Sequence, residues 1–247
     1  MRYTRAVTTA RFRRPAPAPR AQARPLHAQE MFGARAMRRI VRALPPIESA
    51  YAAIRFTIMR SKLLSVMDLL LPAEGRILDV GCGFGLFAAY FAQTQPQRRL
   101  TGIDTNARRI DIARSVMAKL ELTGHELLVG DARAVRDIAG AGFQAIYVLD
   151  VLHHVPRDDQ EALLACLYDL LEPGGVLVLK DITTEPWIGL KFTELLDRVM
   201  VGWDEPLAYR HHREWGEMLS SLGFHVRMVR VPDVLPYPHV VIAATKQ

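Results

Sequence analysis

Apolar residues along this chain recur in two rhythms. Short unbroken runs such as Ile77–Val80, Leu127–Val129 and Val176–Ile182 have the length and density of strands buried on both faces, as in a parallel sheet. Helical spacing separates them. Ile110, Ala113, Met117 and Leu120 fall at i, i+3, i+7 and i+10, and Leu86–Ala92 is apolar enough for a helix packed on a sheet. This alternation predicts an α/β fold. Farther on, His212–Leu222 reads as a helix closed by Gly223, and His225–Val231 and His239–Thr245 read as the last two strands. Near the start, Met37, Ile40, Val41 and Leu44 share one helical face while Arg35, Arg38, Arg39 and Arg42 take the other. The spacing predicts a basic amphipathic helix over Met31–Leu44, ended by Pro45-Pro46. A second helix is predicted from about Glu48 to Leu71, with Tyr51, Ile54 and Ile58 on one face.

The first strand empties into Asp79-Val80-Gly81-Cys82-Gly83-Phe84-Gly85, with glycine at every second position of the loop. A strand, a glycine loop and a helix in succession let a ligand lie directly against backbone. The dinucleotide fingerprint is G-x-G-x-x-G, whose loop offers N–H groups to a pyrophosphate. Here the spacing is G-x-G-x-G, with a carboxylate two residues before the first glycine. That charge would repel a phosphate and suit a cationic amine or sulfonium, which favours S-adenosylmethionine over NAD. A second acid, Asp104, closes the strand Arg99–Asp104 at about 20 residues' distance, where a ribose-binding carboxylate is expected. The third strand runs into Gly130-Asp131-Ala132. Three aspartates at the C-terminal ends of successive strands lie along the edge where open α/β sheets bind ligands.

With these motifs in order, the chain from about Ile47 onward resembles the class I S-adenosylmethionine-dependent methyltransferases. The resemblance implies a Rossmann-like seven-stranded sheet of order 3-2-1-4-5-7-6, strand 7 antiparallel, with helices on both faces. It assigns Asp79, Gly81, Cys82, Gly83 and Gly85 to the methionine end of the cofactor. Asp104 would hold both ribose hydroxyls, with Thr105 beside it, and Asp131 and Ala132 would meet adenine, Asp131 accepting from the exocyclic amine. Asp150-Val151-Leu152-His153-His154-Val155 matches the segment after the fourth strand, where cofactor and acceptor meet, and Leu171–Val178 resembles the turn into the fifth strand.

Composition qualifies this picture at the N-terminus. Met1–Gln29 holds seven arginines and no acid, so the formal net charge of +6 belongs to this segment and the rest of the chain is close to neutral. Its Pro15-Ala16-Pro17-Ala18-Pro19 run opposes helix and sheet, and a disordered Arg/Pro/Ala-rich tail is expected over 1–30. Such a leader can mimic a transit peptide, and Met31 or Met37 could equally be the true initiator. The expected organisation is this tail, N-terminal helices over 31–72 covering the site, and a methyltransferase domain over 73–247. The two cysteines, Cys82 and Cys166, fall in the glycine loop and on a helix, which makes a reducing cytoplasm the default location. The basic helix over 31–44 can lie on an anionic membrane surface or pack its apolar stripe against the domain.

An insertion over about 183–211, with Trp187, Phe192, Leu195, Leu196, Met200, Trp203 and Tyr209, reads as a substrate lid or as ordinary core; as a lid its aromatics suggest a lipophilic acceptor. Tyr51, Phe56 and Met59 are candidates for the pocket wall. A general base is required only where the acceptor is protonated, and His154, His153 and His211 are the candidates. No metal is expected, because neither histidine pair has a matching carboxylate set. Leu149-Asp150-Val151-Leu152 lacks the segment of amino methylation, and neither cysteine follows a proline as in cytosine C5 enzymes. The leading expectation is a methyltransferase acting at oxygen or carbon of a small lipophilic acceptor. Alternatives are an RNA methyltransferase using the arginine tail, although the core is not basic, and a cofactor-binding scaffold without catalysis.

Overall fold

The computed structural model describes residues 26–185, 207–229, 231 and 238–247, with single positions between 187 and 198. Three helices come first: α1 (Leu26–Ala43), α2 (Pro46–Met59) and α3 (Ser61–Leu70). Alternation follows with β1 (Gly75–Val80), α4 (Leu86–Thr94), β2 (Arg98–Asp104), α5 (Ala107–Lys119), β3 (Glu126–Val129), α6 (Val135–Ala139), β4 (Phe143–Leu149), α7 (Arg157–Leu170) and β5 (Leu171–Ile182). The chain closes with α8 (His212–Ser221), β6 (Phe224–Val229) and β7 (His239–Lys246).

Among the described residues the strands form one seven-stranded sheet of order β3-β2-β1-β4-β5-β7-β6. All pairs are parallel except those of β7, which runs antiparallel to both β5 and β6. The expected topology is therefore the observed one. Helices cover both faces, so neither face of a central strand can be polar. Along β4, Ala145 and Tyr147 point into one apolar layer with Ile77, Phe91 and Ile110, while Ile146 and Val148 point into the other with Leu164, Trp215 and Ile242. This double burial explains why the strands appear in the sequence as continuous apolar runs.

The N-terminal helices form a further layer. Ala36, Ile40, Ala43 and Leu44 of the α1 segment are buried, and α1 packs on α4, which is why α4 is buried from Leu86 to Gln93 on every side. Gly33 makes the approach possible, because a Cβ there would stand 2.6 Å from the Tyr90 hydroxyl oxygen. The stripe of the basic helix thus packs against the domain. The helix begins at Leu26, inside the segment read as tail; residues 1–25 and most of the proposed lid lie outside the described residues.

The helix expected from Glu48 to Leu71 is two helices, broken at Arg60, whose φ of 49° is incompatible with continuation. Its buried face also differs: Glu48, Ala52, Arg55, Phe56 and Met59 face inward, while Ile54 is half exposed. Met59 belongs to the core, and Phe56 sits edge-to-face against Phe87 rather than at the site.

Arg98 fastens this layer to the sheet. Its buried guanidinium pairs with Asp68 and donates to the carbonyls of Pro72 (2.7 Å), Asp68 (3.0 Å) and Leu71 (3.3 Å), which are end groups of α3 and its exit turn. A cation there suits the C-terminal end of the helix dipole. Removing one partner of a buried pair leaves the other uncompensated. Arg98→Ala is expected to lose about 3–5 kcal/mol of stability, read as a lowered midpoint in urea unfolding followed by far-UV circular dichroism. An unchanged midpoint would contradict this anchoring role.

Candidate functional site

The C-terminal ends of β1, β2, β3 and β4 open onto one cavity of about 430 Å³, roofed by α2. Its wall contains Gly81, Cys82, Gly83, Asp104, Thr105, Asp131, Ala132, Asp150 and His154, together with Tyr51, Arg55, Phe84 and Arg109. The volume lies within the roughly 300–1,000 Å³ range of small-ligand sites. Nearly all of the polar positions expected around the cofactor are thereby brought together.

The glycine loop is shaped from below. The amides of Gly81 and Cys82 both donate to the Ile103 carbonyl, at 2.8 and 3.0 Å, so the loop turns over the end of β2. Gly81 has a φ of 71°, and a Cβ there would lie 2.5 Å from Cγ2 of Val151. Glycine is therefore required both for the left-handed backbone and for the approach to the turn after β4. Gly83 is different: nothing lies within 4 Å of its virtual Cβ, so that side of the loop faces open space. The Asp104 carboxylate fixes this geometry, accepting from Gly83 N at 2.9 Å and Asn106 N at 2.9 Å. A ring of backbone without side chains, next to a buried acceptor carboxylate, fits a cofactor with an extended amino-acid end and a diol.

Two expected cofactor residues do not reach the cavity wall. Gly85 starts α4 and packs toward Ala113, where a Cβ would come within 2.9 Å. Asp79 lies behind the loop, because strand alternation turns its side chain toward Tyr147 and α4. Burial pushes its carboxyl up to about 8, opposed by the neighbouring Tyr147 hydroxyl, and its Oδ2 has no hydrogen-bond partner. The acid expected to present a negative charge to the ligand is thus a buried group whose ionised form is disfavoured by its surroundings. Asp131 does line the cavity, but both of its oxygens are engaged by the Arg133 guanidinium, at 3.0 and 2.6 Å, which lowers its carboxyl.

At the other end Asp150 leaves β4 with a φ of 53°. Its carboxylate receives Arg55 at 2.5 Å and Lys180 at 2.5 Å. Burial alone would raise this carboxyl, but the Lys180 ammonium and Arg55 guanidinium outweigh it and hold it well below the usual carboxylate range. Arg55 was not singled out in the sequence, where it is one cation in an apolar helix. The available signal was its position four residues after Tyr51, on the face that looks into the site.

The three histidines separate. His153 is buried, with Nδ1 2.5 Å from Asp181 and its ring stacked 5.3 Å from that of Tyr209. It supports the wall from behind. His211 caps α8, accepting from Arg213 N at 3.2 Å, and lies 3.3 Å from Glu185 away from the cavity. His154 alone of the three lines the cavity. Burial, with the adjacent His153 next in size, pushes its imidazole down to about 4, and its Nδ1 has no hydrogen-bond partner. Gln160 holds this corner together by donating to the carbonyls of Leu152 (2.9 Å), Val155 (3.1 Å) and Ala208 (3.0 Å).

Comparison with known proteins gives the same reading. The family model described as a methyltransferase domain matches residues 77–175. A ubiquinone biosynthesis O-methyltransferase of Xanthomonas axonopodis pv. citri (strain 306) is 34% identical over 117 residues, 47% of this chain and 46% of that protein. An S-adenosyl-L-methionine-dependent Diels-Alderase of Talaromyces variabilis, iccD, is 29% identical over 164 residues, 63% of this chain and 55% of that protein. The chain therefore spans about half the length of these relatives. Among solved structures, the apo S-adenosylmethionine-dependent methyltransferase SibL superposes with a TM-score of 0.65 over 92% of this chain and 71% of that one, at 21% identity.

The perturbed carboxyl of Asp79 sets a pH dependence. Its folded value of about 8 stands above the ordinary 3.8, so the folded state holds a proton that the unfolded chain releases. The stability it contributes is full below pH 4 and is lost as the pH rises through 8. Asp79→Asn mimics the protonated acid, so its melting temperature relative to wild type should climb between pH 5 and pH 8 in paired thermal melts. A difference independent of pH would show that Asp79 is ionised in the fold.

Sheet order, glycine loop and strand-end acids, with the methyltransferase-domain model matched over residues 77–175, make this chain similar to the class I S-adenosylmethionine-dependent methyltransferases.

Proposed function

We propose that the chain transfers a methyl group from S-adenosylmethionine to an oxygen or carbon of a small, lipophilic acceptor, with His154 as the general base. The observation that carries this reading is that one cavity wall holds both the Gly81–Gly83 loop with Asp104 and the neutral imidazole of His154. The loop would wrap the methionine end of the cofactor, Asp104 would accept from the ribose hydroxyls, and Asp131 and Ala132 would flank adenine. The bound cofactor supplies an already activated methyl on a sulfonium, which departs as a neutral thioether. The chain's own work is then alignment and proton removal. Alignment of reacting groups can supply about 7–11 kcal/mol of a barrier at best.

His154 is held in the base form at neutral pH because burial disfavours its charged state. A proton taken from an acceptor hydroxyl or acidic carbon would pass to its imidazole. His153, fixed by Asp181 and packed between His154 and Tyr209 with ring centroids 4.1 and 5.3 Å away, acts as a positioning residue. The wall at this end also carries Leu149, Val151, Val155, Leu163 and Phe87 beside the charged Asp150, Arg55 and Asp159, and this apolar share supports a lipophilic acceptor. The ubiquinone-pathway relative supports a small molecule over a macromolecule. The RNA alternative rests on the arginine segment, which lies outside the described residues.

His154→Ala should lower methyl transfer by about 10²–10⁴-fold while leaving cofactor affinity by calorimetry unchanged; Asp104→Ala should do the reverse to binding and abolish detectable heat. The assay is labelled S-adenosylmethionine with an organic extract of the source cells, and label is expected in the lipid-soluble fraction. Label in the RNA fraction, or a full rate in the His154 variant, would overturn the respective part of the proposal.

A further inference from the structure

The roof of the cavity has an outer side that the reaction does not use. On α1 the guanidinium groups of Arg35, Arg38, Arg39 and Arg42 are exposed and make no ion pair with a described residue. Between Met31 and Lys62 the sole carboxylate is Glu48, which is buried and bonded to Arg108 at 3.0 Å. Over that span the outer surface therefore carries exposed cations and no exposed carboxylate. Alongside, α2 turns aliphatic residues to solvent: Ile47 is 79% exposed and Ile54 50%. The two features are continuous. A shallow groove between the helices has Arg38 and Arg42 on one rim, Met37 and Phe56 in its lining, and Ala53 and Thr57 on the other rim, next to Ile54.

We propose that this α1–α2 face docks on an anionic lipid bilayer, arginines at the headgroups and Ile47 and Ile54 inserted among the acyl chains. Charge selects the partner: a cluster of cations with no exposed carboxylate between Met31 and Lys62 is complementary to an anionic surface, and four to eight clustered cations are the pattern of such contacts. Protruding single aliphatics add the apolar component that electrostatic adsorption alone lacks. A nucleic acid would use the arginines and leave the isoleucines in water. The same α2 carries Tyr51 and Arg55 into the cavity, so the docked face and the site mouth share one helix. Among the described residues no helix is long and apolar enough to cross a membrane, so the contact is peripheral. The original stripe of α1, by contrast, is spent on α4.

The test uses the full chain and vesicles of phosphatidylcholine with and without phosphatidylglycerol, in a sedimentation assay that requires no turnover and is independent of the acceptor. The wild type should partition onto the phosphatidylglycerol vesicles only, and less so at high salt. Arg38→Gln/Arg42→Gln and Ile47→Asn/Ile54→Asn should each weaken partitioning by on the order of tenfold or more. Both should keep the wild-type melting temperature and cofactor affinity, since none of these side chains lines the cavity. If the isoleucine variant binds as well as wild type, the arginine-rich residues 1–29 suffice and the proposal fails. It fails also if neither vesicle is bound, or if the isoleucine variant instead dissolves a dimer in analytical ultracentrifugation, which would make a second copy the occupant.

Discussion

A largely parallel sheet covered by helices on both faces leaves its charges almost nowhere to go except the carboxyl edge of its parallel strands. Strand interiors here are apolar in both directions, and Asp104, Asp131, Asp150 and His154 all stand where strands end. Lys180 and Asp181 test the rule, since both are fully buried on β5. They are tolerated because each reaches a partner after β4: Lys180 to Asp150 and Asp181 to His153. An isolated buried charge costs several kcal/mol after relaxation, so these pairs form together or not at all. The chemistry of the site is a consequence of where a double-faced sheet permits ions.

Asp150 concentrates that constraint. A positive φ costs an aspartate roughly 1–2 kcal/mol, and its side chain is removed from water as well. Both costs are offset only when two cations arrive from different layers, Arg55 from the helical roof and Lys180 from the sheet. The roof is thus bound to the floor through a single carboxylate beside the cavity. Arg98 repeats the device at the opposite end of the sheet, where a buried cation gathers the carbonyls that end α3. Two arginines, one near each end of the strands, hold the N-terminal helices on the domain.

The sequence made the sheet legible because double burial writes a continuous apolar run, and the glycine loop legible because its spacing is imposed by backbone contact. It made the strand-end acids legible as positions, yet their states escaped it. Asp79 and Asp104 look alike in the chain. One turns inward by strand alternation, where burial raises its carboxyl, while the other faces the cavity and anchors the loop. Likewise His153 and His154 are neighbours that differ by which side of a single turn they occupy. Long-range partners decide two of these outcomes, Tyr147 for Asp79 and Asp181 for His153, while Asp131 is claimed locally by Arg133. Periodicity carries no record of them.

The inverted face of α2 shows the same limit from another side. Hydrophobic periodicity assumes that a helix buries its aliphatic residues, which places Ile54 and Ile58 inward. In the fold, Glu48 and Arg55 lie seven residues apart on one face and are claimed by Arg108 and Asp150. Two ion pairs two turns apart fix the rotation of the helix, since turning Ile54 inward would withdraw Arg55 from Asp150 and leave a buried carboxylate short of one cation. Exposing an isoleucine forgoes about 1.5–3 kcal/mol of burial at most, whereas breaking a buried pair costs about 3–5 kcal/mol. The electrostatic demand of the site therefore sets the orientation of its roof, and the aliphatic face is turned outward as a result.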